Sequence, residues 1–511
     1  MTANSVYCQV NSAHPVRRII EQCASLLTQR AGKDKFCRNY DFPYRLPAHV
    51  FGQRDGFVGV DMTFTSVRGH MTDIDFTEEF KWGKCDPIAL FHAPVVSQIT
   101  NEAKQVAQNL TAEIRTADAL MIWTDCDREG EHIGYEIAEH CRSVRRNINV
   151  TRARFSALIP AQIKRACCAP VELDVSAAFA VDARQQIDLR AGAAFTRLQT
   201  NNLKQYLSEL KGMLISYGPC QFPTLGFVVD QYRRVQAFVP EPFWYIEARH
   251  QTNEGTTVFC WERNHLFDET IVRALHSRCL ESSEAVVLHA AKRQVTKRKP
   301  TPLTTVELQR SASRLFNLAP KRVLDVAEKL YQQGLVSYPR TETDQYDKDF
   351  DFNSLIAKQH NDAEWGIHAR ELSNGAFNPP RNGSNNDKAH PPIHPTAHAN
   401  GLSGDDRRIY EYITRRFLAS CASDACGTES TVTVELSEER FHATGLTVTH
   451  PNYLRIFTFD KWSERSIPTY VQGQRFRLSA CDLKQGKTTR PNLLTEADLV
   501  GLMDKHGIGA S

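Results

Sequence analysis

The sequence predicts a multidomain protein: an α/β portion at the amino-terminal side, then separate α and β portions. Three observations predict it. The chain has 511 residues, more than one hydrophobic core organises. Up to about residue 155 apolar runs of strand length alternate with helical patterns, and beyond it the two periodicities separate into blocks. Hydrophobic residues make up 41% and charged residues 24%, the ordinary balance of globular domains.

Residues 1–155 form the predicted α/β portion, and its clearest strand is Ala119–Trp123, after which a helix opens near Gly130. From Pro160 to about Lys204 the pattern is helical, with "AAFAVDARQQIDLRAGAAFTRLQT" carrying apolar residues at helical spacing. From Leu214 to about Ala291 short β-rich runs such as "FWYIEARH" and "TTVFCW" dominate. A helical block fills 301–340. Thr304 and Glu307 form a capping box there, and Pro320 opens a second helix with Val323, Val326, Ala327, Leu330 and Tyr331 on one face. Gly334 ends that helix. The polar stretch "GAFNPPRNGSNNDKAHPP" predicts a long functional loop. After a helix near 405–421, β-type runs return in "STVTVEL", "HATGLTVTH" and "YLRIFTF", which implies a β domain interrupted by a helical insertion.

Composition narrows the function classes. The longest strongly apolar run, Ala119–Trp123, is far too short to span a bilayer, and no secretory apolar region follows Met1, so the expectation is an intracellular protein. The 14 cysteines are scattered with no CxxC pair, which predicts a reduced, zinc-free chain. Net charge is only +3, so nucleic-acid binding would rest on local basic patches. Two candidates are Arg142, Arg145, Arg146, Arg152 and Arg154, and Lys292, Arg293, Lys297, Arg298 and Lys299. Either run alone is more readily a solvated surface or linker, whereas two clusters flanking the candidate sites favour a phosphate-facing role.

Three stretches carry chemistry. In "ALMIWTDCDREGEHIGYEIAEHC" a strand delivers Asp125 and Asp127 to its carboxyl end, where open α/β sheets bind ligands, with Glu129 one step further. Carboxylates so close repel unless a cation neutralises them, and oxygen-only ligands suit Mg²⁺. The same residues are equally a solvated acidic turn at a helix N-terminus, and two-carboxylate phosphatases or calcium loops produce the pattern too. In "GLVSYPRTET" Pro339 holds Tyr338 extended on a short strand past the helix pair. A nucleophilic phenol needs a nearby cation, and Arg340 shares its face. An isolated Tyr-Pro-Arg is more readily a tyrosine packing a strand edge. In "AHPPIHPTAH" the four-residue spacing of His390, His394 and His398 suggests zinc only on a helix, and Pro391, Pro392 and Pro395 forbid one. Histidines on a rigid loop beside a phosphate site fit better.

Seven motifs in order, "TDCDREGEHIGYEI", "ARFSALIP", "VDARQQIDLRAGAAFTRLQT", "LISYGPCQFPTLGFVV", "EKLYQQGLVSYPRTET", "DKAHPPIHPT" and "LLTEADLVGLMDKHGIG", resemble type IA DNA topoisomerases, within them the eukaryotic topoisomerase III group of the alpha kind. The resemblance covers roughly residues 35–509. It implies a toprim α/β domain (1–155), a helical domain (156–212, completed by 488–511), a β-rich gate (213–291 and 405–487) and a helical domain with the tyrosine (292–404), together a toroidal core. It implies that Tyr338 attacks a phosphate of single-stranded DNA and keeps the 5′ end as a phosphotyrosine, without ATP. By the same resemblance Arg340 steadies the phosphate, Asp125, Asp127 and Glu129 hold Mg²⁺, His390 lies near the phosphate, and Arg197 and Gln221 lie near the DNA groove. Partners implied are a RecQ-type helicase and an OB-fold accessory protein, acting in the nucleus on recombination intermediates.

Two departures accompany it. Where the family's first strand ends in a Val-Ala-Glu-Lys type motif, "VYCQVNSAHPVRRII" places Asn11 and Ser12 at the Glu and Lys positions. The family also runs on past "HGIG", so the expectation is a truncated carboxyl end lacking part of the toroid and any zinc-binding tail. Two other classes stand beside the enzyme: a DNA-binding protein without catalysis that uses the helix pair near 304–333, and a toprim nuclease or primase that needs no tyrosine.

Overall fold

A computed structural model of the chain describes residues 4–10, 27–33, 37–51, 56–282 and 284–509. A first sheet has the strand order β2-β3-β4-β1-β7-β8, with β1 Asn4–Val10, β2 Thr28–Ala31, β3 Arg38–Pro47, β4 Phe57–Ser66, β7 Ala119–Trp123 and β8 Asn149–Arg152. The strands β4, β1, β7 and β8 run parallel, and β2 and β3 add antiparallel at one edge. The strand β7 shows why its sequence is apolar throughout. Ala119, Met121 and Trp123 enter one core, whereas Leu120 and Ile122 enter another beneath α1 (Lys104–Ile114) and α2 (Arg128–Val144). A separate hairpin, β5 Thr72–Phe76 with β6 Val95–Ile99, follows β4.

Helices α3 (Pro160–Cys168) and α4 (Val175–Tyr206) come next, then α5 (Gln221–Ala237). That last helix corrects the β-rich expectation over 214–291. Its many β-formers, such as Val228, Val229 and Tyr232, yield to tertiary context, and Pro223 sits in the first turn, where no amide is needed. A second sheet follows the order β14-β11-β12-β13-β10-β9-β15, from β9 Pro242–Thr252, β10 Gly255–Trp261, β11 Ala285–Lys297, β12 Ala425–Leu436, β13 Glu439–His450, β14 Arg475–Phe476 and β15 Ala480–Lys487. Strands from before and after the helical insertion are therefore neighbours, as β11 with β12. The helix α6 (Glu269–Glu281) buries Val272 and Cys279 in the sheet's core beside Phe259, Trp261 and Val434. "YLRIFTF" is not a strand: Asn452–Arg455 is a short 3-10 turn anchored by buried Tyr453.

The insertion holds α7 (Thr305–Phe316), α8 (Pro320–Gln332), α9 (Phe352–Lys358), α10 (Gly366–Glu371) and α11 (Gly404–Ser420). Asn317 adopts a left-handed φ of 53° between α7 and α8, and Gly334 ends α8 at φ 73°. The capping box is half-made: Thr304 accepts from the Glu307 amide at 3.3 Å, but the Glu307 carboxylate bonds Ser311 and Arg416 instead of turning back. No helix or strand is assigned between Phe377 and Ser403, in keeping with a long polar loop. A final helix, α12 (Glu496–Lys505), lies against α7, with Arg314 donating to Asp498 at 2.6 Å. One apolar core runs from Phe64, Trp123 and Phe155 of the first sheet's layer through Leu330, Tyr331 and Tyr338, so the tyrosine-bearing helices pack directly on the α/β portion.

Candidate active site

The carboxyl ends of β4, β1 and β7 are level, with Val10 paired to both Ser66 and Trp123. The chain leaves β7 through Asp125 and enters α2 at Asp127, whose Oδ1 caps the helix by accepting from the Gly130 amide at 2.7 Å. Glycine is required at 130, because a Cβ there would stand 1.9 Å from the Asp125 carbonyl oxygen. Beneath this turn lies Arg152, fully buried at the end of β8. Its guanidinium donates to the carbonyls of Thr124 (2.8 Å), Asp125 (2.6 Å) and Ala153 (2.7 Å) and to Glu131 at 3.0 Å. A buried charge is tolerable when its donors are all directed at a carboxylate and carbonyl dipoles, and here they fix the backbone that carries the acids.

Tyr338 approaches from the opposite side. The Ser337 amide donates to the His394 carbonyl at 2.9 Å and the Tyr338 amide to the Ser156 carbonyl at 3.1 Å, so the segment is stitched to both portions. It is extended but not a strand, with one isolated bridge, Val336 to Pro395. The Tyr338 side chain is buried, and its hydroxyl donates to Asp127 Oδ2 at 2.7 Å. Tyr331, on the buried face of α8, donates to Asp125 Oδ1 at 3.2 Å, its ring edge-on 5.3 Å from that of Tyr338. Burial, then the charges of Asp125 and Asp127, push the Tyr338 phenol well above its usual range, so it rests protonated. The ring of His390 lies 4.4 Å from that of Tyr338. Both His390 ring nitrogens are buried without a hydrogen-bond partner among the described residues, and burial pushes the imidazole down to about 4.

Glu129 sits in the first turn of α2. It accepts from His70 Nε2 at 3.0 Å and pairs with Arg184 of α4. The His70 imidazole holds Glu129 below the usual carboxylate range. Glu129 and Glu136 in turn raise His70 to about 9, and burial lowers His132 beside it.

The structure thus brings Asp125, Asp127, Tyr338 and His390 together, with Glu129 at the margin. Arg340 is placed differently from the sequence expectation. It bonds Glu328 of α8 at 2.7 Å, so the phenol's partner is Asp127 and not the arginine. Arg340 also faces a cavity of ≈ 1210 Å³ whose walls include Arg298, Arg310, Arg314, Arg381 and Arg416. Arg197 is buried, donating to the Phe80 carbonyl at 2.7 Å with its guanidinium 5.5 Å from the Trp82 ring, which anchors α4 to the turn after β5. Gln221 is exposed at the first turn of α5. Asn11 and Ser12 lie outside the described residues. The two basic runs are not uniform patches. Arg152 is internal, Arg142 and Arg145 pair with Glu139 and Asp118, and Arg293 and Lys297 pair with Glu429 and Asp460. Lys299 is buried under the carbonyls of Asn378, Pro379 and Ala422.

Sequence reasoning missed the roles of Tyr331, Arg152, His70 and Arg184. Tyr331 was legible only as part of an apolar helix face. Its hydroxyl at the end of that face, seven residues before Tyr338, was the available signal. Asp125 and Asp127 turn carboxylate oxygens toward the two phenols, an all-oxygen donor set that fits a hard cation such as Mg²⁺.

Comparison with known proteins shows the family and the fold. Residues 42–158 match the Toprim domain and residues 172–511 match the DNA topoisomerase family. Toprim domains in general bind Mg²⁺. The chain is 45% identical over 485 residues to mouse (Mus musculus) DNA topoisomerase 3-alpha, covering 94% of this chain and 48% of that protein. It is 41% identical over 486 residues to DNA topoisomerase 3 of Schizosaccharomyces pombe, covering 94% of this chain and 77% of that one. The chain therefore spans about half the length of the mouse and human relatives it matches. Its fold is similar to that of full-length topoisomerase I from Thermotoga maritima, with a TM-score of 0.71 at 20% identity, covering 98% of this chain and 76% of that chain. Among the described residues no helix is long and apolar enough to cross a membrane.

Proposed function

Because the chain belongs to the type IA DNA topoisomerase family, we propose that it cleaves one DNA strand through Tyr338, lets another strand pass and rejoins the break. One observation carries the proposal: the buried Tyr338 hydroxyl donates to Asp127 at 2.7 Å. In cleavage the phenol oxygen bonds the phosphorus, its proton passes to the Asp127 carboxylate, and the bond from phosphorus to the 3′ oxygen breaks as that oxygen takes a proton from solvent water. The bond energy stays in the phosphotyrosine, so rejoining needs no ATP. His390, neutral over the Tyr338 ring and without a hydrogen-bond partner among the described residues, is suited to donate to a phosphate oxygen. Arg340, once released from Glu328, is suited to grip a phosphate bidentately, and the arginines of the adjoining cavity extend that reach. Asp125 and Asp127, with Glu129, would hold Mg²⁺, which when bound offsets the charge of the phosphate and acids.

The substrate is single-stranded DNA, or duplex opened by negative supercoiling. Tyr338 is 6% exposed, so DNA enters only when the α8–Tyr338 layer parts from the α/β portion. A RecQ-type helicase, an OB-fold accessory protein and a nuclear role in resolving recombination intermediates follow from the family alone. Incubating the protein with a labelled single strand and Mg²⁺, then denaturing, tests the reading: wild type carries label and Tyr338→Phe does not. Cleavage retained by Tyr338→Phe would indicate a toprim nuclease, and binding without cleavage by wild type a DNA-binding protein. Either outcome defeats the proposal.

A further inference from the structure

A second constellation lies on the far side of Glu129. His70, in the loop between β4 and β5, points Nδ1 at His132 Nδ1 (3.3 Å) and at Glu136 Oε1 (3.4 Å). His132 and Glu136, one turn apart on α2, close the triangle at 3.7 Å. Ligands 2.0–2.1 Å from a tetrahedral zinc ion stand about 3.4 Å from one another, so these three edges have the dimensions of one face of such a site. Two imidazole nitrogens turned toward each other and toward one carboxylate oxygen also form an arrangement for which a single shared proton is a poor filling, since at most one of the three contacts receives it well.

The surroundings are those of a metal site's outer layer. His70 Nε2 donates to Glu129 at 3.0 Å, which orients the ring so that Nδ1 faces His132 and Glu136, where a metal ion would displace its proton. Glu136 is oriented by Thr72 Oγ1, donating to Oε1 at 2.6 Å, and by the Met71 amide, donating to Oε2 at 2.8 Å. The side chains of His132 and Glu136 are 9% and 6% exposed and that of His70 30%, so a fourth position remains reachable by water. Two imidazoles and a carboxylate select a borderline transition ion over Mg²⁺, whereas the all-oxygen pair Asp125 and Asp127 selects the reverse. The two sets share no ligand. The expectation of a zinc-free chain rested on the missing CxxC pairs and does not address histidine ligands drawn from two separate elements.

We propose that His70, His132 and Glu136 bind one Zn²⁺ ion, which clamps the loop after β4 to α2 and, through His70, positions Glu129. The proposal stands independently of DNA cleavage. The full chain, stripped with a chelator, is titrated with Zn²⁺ against a chromogenic competitor in excess Mg²⁺, and a parallel sample is loaded with Co²⁺ for its visible spectrum. Wild type and Asp125→Asn are expected to retain one equivalent of Zn²⁺, and His132→Asn and His70→Gln to bind it roughly 100-fold more weakly. The Co²⁺ spectrum is expected to be intense, as for a tetrahedral site, without thiolate charge transfer. No retention by wild type, equal retention by His132→Asn, or loss in Asp125→Asn alone would overturn the proposal. Should both histidine variants fail to fold, a weak octahedral Co²⁺ spectrum or a thiolate band in wild type would overturn it on its own.

Discussion

Tyr338 and Asp127 stand 211 positions apart in sequence and share a hydrogen bond of 2.7 Å, the phenol donating and the carboxylate accepting. Asp127 meanwhile caps α2 through its other oxygen. The same carboxylate therefore sets the start of the helix that presents Glu129 and accepts the tyrosine's hydrogen bond.

Tyr331 stands beside this pair and is separable from it. Tyr331→Phe leaves the Tyr338 hydroxyl in place but removes the donor to Asp125. Loss of a hydrogen bond to a charged acceptor costs about 1.5–3 kcal/mol. The expected outcome is a lower melting temperature and slower formation of the covalent complex, in contrast to its abolition by Tyr338→Phe. Single-turnover cleavage rates of the two variants check it.

Arg152 is the residue whose loss should cost most. Arg152→Leu strips Glu131 of its charged partner, leaving it only the Asp174 amide among the described residues, and removes the guanidinium from the carbonyls of Thr124, Asp125 and Ala153. Breaking such a buried pair costs about 3–5 kcal/mol. Denaturant unfolding should show that loss, whereas Arg146→Leu, at an exposed position of the same basic run, should be nearly neutral.

Acid should destabilise the insertion before it protonates the carboxylates. Burial pushes both His390 and His394 down to about 4, against about 6.5 in an unfolded chain. Their folded values are depressed, so the stability they carry is complete above about pH 6.5, declines below it and is lost as pH falls through about 4. Each contributes on the order of 3 kcal/mol at most. His394, whose Nδ1 donates to the Pro392 carbonyl at 2.7 Å amid Tyr346, Phe350 and Phe417, is the cleaner probe. His394→Gln should flatten the dependence of melting temperature on pH between 6.5 and 4.

Glu328 competes with DNA for Arg340. Glu328→Gln weakens the ion pair, whose partners are partly exposed, so single-strand affinity should rise by no more than about fivefold at low salt. Arg340→Ala should lower it. Fluorescence anisotropy with a short oligonucleotide measures both, and a fall with Glu328→Gln would contradict this arrangement.

What was legible in the sequence was local. The five apolar residues of β7 can only be a strand buried on both faces, Pro320 and Gly334 bracket α8, and Asp125 and Asp127 follow a strand end. What was not legible depends on who meets whom across the fold. A run of arginines cannot reveal that Arg152 turns inward to Glu131 while Arg146 faces solvent. Nor can Tyr-Pro-Arg reveal that the arginine reaches back twelve residues to Glu328 while the tyrosine crosses to Asp127. His70 and His132 are 62 positions apart, in a loop and a helix, and only the register of β4 beside β1 and β7 brings that loop to α2.

The central claim is that Tyr338 retains the 5′ phosphate of a cleaved strand. Two preparations of one oligonucleotide, labelled at the 5′ end or the 3′ end, are each incubated with the protein and Mg²⁺ and then denatured. A 5′-phosphotyrosine leaves the downstream fragment on the protein, so only the 3′-end label should migrate with wild type, and neither label with Tyr338→Phe. Protein carrying the 5′-end label, or Tyr338→Phe carrying either, would contradict the account.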